Sequence, residues 1–332
     1  MWAAAISIPG LAKNPAYFTM SREEKMNHVL RQTVLVYTEL AKKFTIRDSD
    51  VINLFPLFNG TWPFSTHFGM FVVQVEALGT PEQKEYWLPR SKSLEVIGCY
   101  AQTELGHGSD VQGLETTATF DPKTDEFVIH TPKLSAAKFW PGDLGKLANT
   151  AAVIARLVVK GKDHGVQTFV VPLRDSTTHA SLPGRELGDI GSKHGYQNKD
   201  NGYALFTNVR VPRSALLAKY VSVDSDGTVR TRGNPKLAYF TMMFNRLFII
   251  QEAHLYLARA LTIALRYSTF RVQFRTGPNK TERKVIDYQQ QQRRLVPYLS
   301  ASFAYFFAYQ EAVRLFEKIK QSVAKGDTSG LG

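Results

Sequence analysis

The spacing of apolar residues changes twice along the chain, and these changes limit the folds that the sequence can adopt. From Arg22 to Phe44 the apolar residues recur three and four positions apart, as on one face of an α-helix. From Val96 apolar and polar residues alternate, which is typical of half-buried β-strands. Beyond Pro235 the helical spacing returns over two long stretches. The sequence therefore predicts an α+β protein with helices before and after a β-sheet domain.

Capping signals mark the first helices. Ser21 and, three residues later, Glu24 have the spacing of a capping box ahead of the first helical pattern. Thr80 followed by Pro81 starts another helix, because proline fits the first helical position. We therefore predict an N-terminal α-helical domain over residues 1–95.

Turn signals divide the alternating region into hairpins. The turn at residues 121–125 predicts one hairpin. Residues 153–159 and 166–173 predict a second hairpin around a turn at 161–165. We therefore predict an antiparallel β-domain over residues 96–233.

Two long helical patterns follow, over residues 237–265 and 285–323. A loop at residues 276–280 separates them. Pro297 lies in the early part of the second pattern, where a proline kinks a helix or marks its start. We predict that residues 234–332 form the first part of a C-terminal helical domain.

The net charge of +12 favours anionic ligands. Nucleic acid is one candidate, but the sequence has no zinc-finger spacing, no ribonucleoprotein aromatic motif and no run of five basic residues. A coenzyme with a pyrophosphate and a 3′-phosphate suits scattered Lys and Arg equally well, and a solvated basic surface is the simplest alternative. We predict no nucleic-acid partner.

Cysteine and hydropathy patterns bear on the cellular compartment. Cys99 is the single cysteine, which excludes an intramolecular disulfide, and its apolar surroundings predict a small buried side chain. The apolar run at residues 3–8 is broken by Pro9 and Gly10 and is much shorter than a membrane span. We expect neither a signal peptide nor a transmembrane segment.

The first loop with ligand-binding potential is residues 100–110. It follows a predicted strand and presents Gln102, Thr103 and Ser109, with Gly108 allowing a close backbone approach. No helix follows the glycines, so a dinucleotide fingerprint is excluded. Backbone N–H groups in such a loop bind phosphate oxygens or ring carbonyls, and the alternative is an ordinary polar turn.

The second such loop is residues 138–145. Trp140 supplies a large flat face, and Gly142 offers a backbone N–H that no side chain blocks. A lone tryptophan is more often part of the core. Two loops separated by a hairpin can, however, form the two walls of one cleft, and together they predict a site for a flat heteroaromatic cofactor with a phosphate chain, a flavin.

These loops are similar to the flavin-binding segments of peroxisomal acyl-CoA oxidases, and the resemblance runs from about residue 67 to 331. The matching segments are residues 98–108, 113–119, 139–142, 188–191, 200–203, 266–268 and 287–289. The resemblance implies an acyl-CoA oxidase-like fold and a homodimeric peroxisomal enzyme with FAD. It implies oxidation of fatty acyl-CoA to trans-2-enoyl-CoA, with molecular oxygen reduced to hydrogen peroxide.

The resemblance also implies site residues. Those assigned to FAD are Gln102, Thr103, Gly108, Ser109, Trp140, Gly142, Arg271 and Gln273. Thr103 and Gly142 would contact the flavin ring or its ribityl chain, and Ser109 would lie near the pyrophosphate and the thioester. Lys193 would contact the coenzyme A moiety. The segment with Arg271 and Gln273 would reach the FAD of the partner subunit.

The sequence departs from the family at the catalytic base. That glutamate belongs to a second C-terminal helical domain, which is absent from this sequence, so no catalytic residue is assigned and Glu104 and Glu115 are not its equivalents. The alternatives to an active oxidase are a catalytically silent relative that keeps the fold and an acyl-CoA dehydrogenase. The sequence ends in Gly332 without a peroxisomal address of the Ser-Lys-Leu type.

Overall fold

A computed structural model describes residues 2–44, 54, 58–232, 237–276, 281–324 and 327. The chain divides into two compact units, Met1–Gly233 and Asn234–Gly332. Both helices and sheets are present, as the α+β prediction requires. The α-helices with both ends among the described residues are α1 (Trp2–Ile6), α2 (Arg22–Leu35), α3 (Val72–Leu78), α4 (Pro81–Lys92), α5 (Leu237–Phe270) and α6 (Gln289–Ala324).

Both predicted helix starts of the N-terminal region are confirmed. The Ser21 hydroxyl accepts a hydrogen bond from the Glu24 amide at 3.3 Å, and the Glu24 carboxylate accepts one from the Ser21 amide at 2.7 Å. Thr80 caps α4, whose first residue is Pro81. The first helical pattern is shorter than predicted, because α2 ends at Leu35 and a π-helical turn follows.

The β-region of the first unit contains eleven strands. They are β1 (Gly98–Ala101), β2 (Thr117–Asp121), β3 (Glu126–His130), β4 (Lys138–Phe139), β5 (Thr150–Val159), β6 (Lys162–Pro172), β7 (Arg185–Asp189), β8 (Gly202–Phe206), β9 (Val209–Pro212), β10 (Val221–Val223) and β11 (Val229–Thr231). Six of these, β1, β2, β3, β5, β6 and β9, form the main sheet, whereas β4, β8 and β7 form a smaller one. Strands β10 and β11 pair separately.

The main sheet is mixed, which corrects the prediction of an antiparallel β-domain. Strand β6 pairs with the whole of β5, so β1 and β2 must follow one another along the other edge of β5. Both run parallel to it, with Gly98 opposite Thr150 and Thr117 opposite Arg156. Alternation of residues shows which face is buried but carries no information on strand direction. The chain therefore leaves the sheet after β1 and returns at β2, and this excursion contains the first predicted loop.

The predicted hairpins are present, with one turn displaced. Strands β2 and β3 pair antiparallel around the predicted turn. Strands β5 and β6 are joined by Lys160 and Gly161, both in the left-handed region with φ of 51° and 77°. The turn predicted at 161–165 is wrong, because β6 already begins at Lys162.

The core of the β-region lies on the inner faces of these strands. Its fully buried side chains include Phe127, Ile129, Val153 and Phe169. Cys99 is buried in the same cluster, which confirms the prediction of a small buried side chain, and burial raises the pKa of its thiol.

The second unit consists of α5, α6 and a β-hairpin between them. Strands β12 (Val272–Thr276) and β13 (Thr281–Lys284) flank the loop that was predicted at residues 276–280. Thr276 of that loop is the last residue of β12, and residues 277–280 lie outside the described residues. Pro297 lies inside α6, which starts later than predicted because a 3-10 turn, Val285–Asp287, precedes it. Of the helices that the structure describes, none combines the length and apolar character needed to span a bilayer.

Candidate functional site

The two predicted loops contact each other through their main chains. The Phe139 amide donates to the Thr103 carbonyl at 3.0 Å. The Leu105 amide donates to the Ala137 carbonyl at 2.9 Å, and Glu104 forms an isolated β-bridge with Lys138. Residues that the sequence placed on two walls of one cleft are therefore neighbours in the first unit.

A buried lysine joins these loops to the main sheet. The side chain of Lys138 has no exposed surface. Its ammonium group donates to the Gln102 carbonyl at 3.0 Å, to Glu104 Oε1 at 2.9 Å and to the Ile154 carbonyl at 2.6 Å. All three N–H donors of the ammonium thus have acceptors. Burial lowers the pKa of Lys138 to about 8, against the opposing effect of the Glu104 charge.

The partner carboxylate, Glu104, is equally well satisfied. Its oxygens accept hydrogen bonds from the Glu115 amide at 2.7 Å, the Thr116 amide at 2.9 Å and the Thr116 hydroxyl at 2.6 Å, in addition to Lys138. Burial alone would raise the pKa of Glu104, but the Lys138 charge and these hydrogen bonds lower it overall. The pair is therefore a charged buried cluster with every partner in place.

The end of the first loop is open to solvent. Gly108 and Ser109 are exposed, and a Cβ added at Gly108 would meet nothing within 4 Å. The amides of the preceding four residues, 104–107, donate to main-chain carbonyls, whereas those of Gly108 and Ser109 donate to no main-chain carbonyl of the described residues. Gln102 is half-buried and accepts a hydrogen bond from the Tyr100 hydroxyl at 2.6 Å.

Trp140 has an unusual combination of exposure and backbone conformation. Its side chain is 49% exposed, and its φ of 82° lies in the left-handed region, which bulky residues rarely adopt. The conformation is held from both sides, because the Trp140 amide donates to the Gly202 carbonyl at 2.9 Å and its carbonyl accepts from Asn201 Nδ2 at 2.7 Å. Such strain is typical of functional positions.

Asn201 has a polar atom that the described part of the chain does not satisfy. The residue is buried, and its amide nitrogen is used by Trp140, but its Oδ1 accepts no hydrogen bond from the described residues. A buried amide oxygen without a donor is rare, and a bound ligand would be one source of that donor.

Gly142 lies where no larger residue fits. A Cβ at this position would be 2.7 Å from Thr66 Oγ1 and 2.8 Å from Lys199 Cε. The main chain of the second loop is therefore pressed against the segment that leads into α3 and against Lys199.

A second buried ion pair lies beside Gly142. Asp143 Oδ1 is 2.5 Å from Lys199 Nζ, which also donates to the Pro63 carbonyl at 2.5 Å and to Ser65 Oγ at 3.1 Å. Complete burial raises the pKa of Asp143 to about 7, and the nearby Asp200 charge adds to this while Lys199 opposes it.

Lys193, predicted to contact the substrate, lies close to this second pair. Its ammonium group donates to the Lys199 carbonyl at 2.8 Å and lies 3.4 Å from the Gly191 carbonyl. Burial and the neighbouring Arg22 charge lower its pKa. Its donors are thus partly occupied by the main chain.

Arg271 and Gln273 lie in the second unit. The guanidinium of Arg271 is exposed and donates to Gln273 Oε1 at 2.8 Å. The Gln273 carbonyl accepts from the Tyr288 hydroxyl at 2.7 Å, and a bulge follows at Phe274, which has a φ of 62° and is largely exposed. These two predicted residues are therefore neighbours on one hairpin.

Glu115 and His107 flank the first loop. Glu115 accepts hydrogen bonds from Ser135 at 2.7 Å and forms an ion pair with Lys133 at 2.8 Å, and His107 Nε2 is 3.9 Å away. The Lys133 and Ser135 hydrogen bonds lower the pKa of Glu115. Both carboxylates next to the loop are therefore engaged with partners inside the first unit.

Sequence reasoning missed three supporting residues, Asp143, Lys199 and Asn201. Residues 200–203 were matched to the family as a segment, but no role was assigned to Asn201. Asp143 belongs to the second loop, whereas Lys199 and Asn201 contact that loop from about sixty positions away, and no local pattern reports such contacts. The one available signal was that these three residues are polar or charged and lie within the predicted β-domain.

Taken together, these residues fit a flat cofactor that carries phosphates. The first loop offers exposed amides at Gly108 and Ser109, Trp140 offers an exposed ring, and Asn201 offers a buried acceptor.

Three family models match the chain. "Acyl-coenzyme A oxidase N-terminal" matches residues 3–97, "Acyl-CoA dehydrogenase, middle domain" matches residues 99–209, and "Acyl-CoA oxidase, C-alpha1 domain" matches residues 239–330. The similarity thus begins far ahead of residue 67, where the sequence resemblance was first seen.

Relatives and solved structures agree with these models. The chain is 41% identical to peroxisomal acyl-coenzyme A oxidase 1 of Homo sapiens over 315 residues, 94% of this chain and 48% of the human protein. Acyl-CoA oxidase 1 of Arabidopsis thaliana superposes with a TM-score of 0.93 at 40% identity, covering 98% of this chain and 50% of that one. Acyl-CoA oxidase-2 of Caenorhabditis elegans, bound with FAD, ascaroside-CoA and ATP, gives 0.94 at 40% identity, covering 99% and 50%.

The chain spans about half the length of the curated relatives it matches. Its own residues are nevertheless covered almost completely, by three consecutive family models and by a relative of 41% identity. The chain belongs to the acyl-CoA oxidase family.

Proposed function

We propose that this chain binds FAD and belongs to a protein that oxidises fatty acyl-CoA to trans-2-enoyl-CoA, with molecular oxygen reduced to hydrogen peroxide. The observation that carries the proposal is the direct contact of the two loops, in which the amide of Phe139, the residue before the exposed Trp140, donates to the Thr103 carbonyl. The solved C. elegans relative with FAD and ascaroside-CoA supports a flavin and a thioester as ligands.

Each loop has a separate role in this proposal. The first loop, with Gln102, Thr103, Gly108 and Ser109, supplies hydrogen-bond groups and exposed amides for the ring edge and the pyrophosphate. Trp140 offers its ring face to the isoalloxazine.

Gly142 belongs to the second loop and, having no side chain, lets that main chain approach the cofactor. When bound, FAD supplies the acceptor for the hydride that leaves the acyl chain.

The second unit contributes to a neighbouring site in our proposal. The exposed Arg271 is oriented by Gln273, and a guanidinium in this position suits a phosphate oxygen. We propose that this hairpin reaches the FAD of a partner subunit in a homodimer.

The substrate contacts that we propose are Ser109 and Lys193. Coenzyme A carries several negative charges, which an ammonium group and a basic protein attract. We further propose peroxisomal localisation, which the names of the relatives support. We also propose three domains divided at residues 95 and 233, near residues 97 and 239, where the first family model ends and the last one begins.

The proton on the carbon next to the thioester carbonyl must be removed by a base. Glu104 is bound to Lys138 and three further donors, and Glu115 is bound to Lys133 and Ser135, so we assign the base to neither. A silent relative that keeps the FAD site is the second candidate function, and it would bind FAD without reacting.

The experiment uses the purified chain, loaded with FAD and separated from free cofactor by gel filtration. A flavin spectrum at roughly one FAD per chain supports cofactor binding, and a colourless chain at excess FAD overturns it. Trp140→Ala is the matched variant and should lose most of the bound flavin while remaining folded by circular dichroism, because its side chain is half exposed.

The loaded chain is then mixed with palmitoyl-CoA, first without oxygen and then in air. Bleaching followed by peroxide supports the oxidase. Bleaching without peroxide in air favours a dehydrogenase, and no bleaching favours the silent relative.

A further inference from the structure

The contact between the two loops depends on very few side chains. Main-chain bonds join them at Thr103 and at Leu105, but such bonds also allow two segments to shift against each other by small amounts. One side chain, Lys138, is bound at the same time to the first loop, through Gln102 and Glu104, and to strand β5, through Ile154.

We propose that the buried Glu104–Lys138 ion pair is a positioning element, which fixes the two FAD-binding loops in register with each other and with the main sheet. This inference rests on the proposed binding of FAD. Neither residue is assigned a contact with the cofactor. Their effect on it passes through Thr103, which follows Gln102, and through Trp140, which lies two residues after Lys138.

The burial of the pair explains why it can hold this geometry. Both side chains are fully shielded from water, so water does not compete for the ammonium group or the carboxylate. Two of the pair's six hydrogen bonds join Lys138 to the first loop, one joins Lys138 to β5, and three fix the Glu104 carboxylate to Glu115 and Thr116. Such charge-assisted bonds constrain where the two loops can lie.

A contribution to the stability of the fold does not by itself explain why a buried ion pair occupies this position. Apolar residues of similar volume often stabilise a core as well as a buried ion pair does. The position of the pair at the junction of both loops, and not elsewhere in the sheet, points to geometry as its contribution.

Three variants separate positioning from folding. Glu104→Gln leaves the Lys138 ammonium buried without its counter-charge and should destabilise the chain most. Lys138→Met leaves Glu104 with the hydrogen bonds of Glu115 and Thr116. The double variant removes both charges and should recover much of the melting temperature.

FAD binding should not recover in the double variant. We expect its dissociation constant to be about tenfold higher than that of the unchanged chain. We also expect an altered visible circular dichroism of the flavin at saturation, because the asymmetric surroundings of the ring have shifted. If the ion pair only stabilised the fold, the double variant would recover its FAD affinity together with its melting temperature.

Two controls match the perturbation. Arg213→Met breaks an ion pair with Asp125 near the far end of β2, and Val211→Ala removes buried volume from β9. Both should lower the melting temperature without changing the FAD dissociation constant or the flavin spectrum. If the double variant binds FAD within about twofold of the unchanged chain, with the same spectrum, the proposal is overturned.

Amide hydrogen exchange without FAD tests the pair independently. The amides of Leu105 and Phe139, which bridge the loops, should exchange faster in the double variant, while that of Val128 in β3 should not. If the unchanged chain binds no FAD, the proposed function fails, and this measurement still decides whether the pair fixes the loops. Unchanged protection of the Leu105 and Phe139 amides in the double variant would overturn the proposal that the ion pair fixes the loops.

Discussion

At the scale of single residues, the second loop is held by close packing as much as by hydrogen bonds. Gly142 faces Thr66 and Lys199 at distances that exclude a Cβ, and Trp140 keeps a left-handed backbone because Asn201 and Gly202 bind it from both sides. The main chain of the second loop, which carries Trp140, is therefore held in place without a ligand.

Gly142→Ala should destabilise the first unit by about 1–3 kcal/mol, because the new methyl group would overlap Thr66 Oγ1 and Lys199 Cε. Urea unfolding monitored by circular dichroism measures this. Gly108→Ala is the matched control, since nothing lies within 4 Å of its Cβ, and it should stay within about 0.5 kcal/mol. Equal stability of the two variants would contradict the packing that we describe.

Residue types in both loops could be predicted from the sequence, but their supports could not. Thr103 and Trp140 stood out because of their local motifs, and the structure brings their segments together. Lys199 carries no such motif, and Asn201 lies in the matching segment 200–203 without an assigned role. Both contact the second loop from about sixty residues away in the sequence.

At the scale of elements, His67 connects a helix to the main sheet. Its Nδ1 accepts a hydrogen bond from the Gly98 amide at 2.9 Å, at the start of β1, so its Nε2 carries the proton and lies 3.0 Å from the Ser91 carbonyl of α4. Burial lowers the pKa of His67 from 6.5 to about 4. The neutral ring is therefore the form that the fold requires.

The unfolded chain takes up a proton at His67 below pH 6.5, whereas the folded chain does so only near pH 4. Stability should therefore be full above pH 6.5 and fall as the pH drops toward 4, by up to about 3 kcal/mol from this residue. Urea unfolding of the unchanged chain and of His67→Gln between pH 7 and pH 4 isolates the effect, because the acidic residues are common to both. A stability difference that is constant over this range would contradict the assignment.

Helix starts were predictable at this scale, but strand directions were not. The caps at Ser21 and Thr80 act within four residues, and both were correct. The parallel pairing of β1 and β2 with β5 depends on how the chain returns after a long excursion, and alternation of side chains is the same in both directions.

At the scale of the whole molecule, the positive charge is the property that acts over the longest distance. With 41 Lys and Arg against 29 Asp and Glu, the surface attracts anions before any specific contact forms. A screening length of about 10 Å at 0.1 M salt limits this attraction.

Binding of coenzyme A to the chain should therefore weaken several-fold between about 0.05 and 0.5 M NaCl, because screening reduces the attraction of its phosphates. Isothermal titration calorimetry at several salt concentrations measures this. Pantetheine, which lacks the phosphates, serves as the control and should show little change. Salt-independent binding of coenzyme A would contradict a contribution of the net charge.

The order of helices, strands and helices followed from the sequence alone, because the spacing of apolar residues and the helix-capping residues are local features that can be recognised in one sequence. The residue types of both loops were likewise visible there. Only the tertiary structure revealed that Lys138 pairs with Glu104 and reaches β5, and that Asn201 binds the main chain of Trp140. These contacts join residues 16 to 61 positions apart, and sheet register, which no short sequence pattern specifies, decides which of them meet.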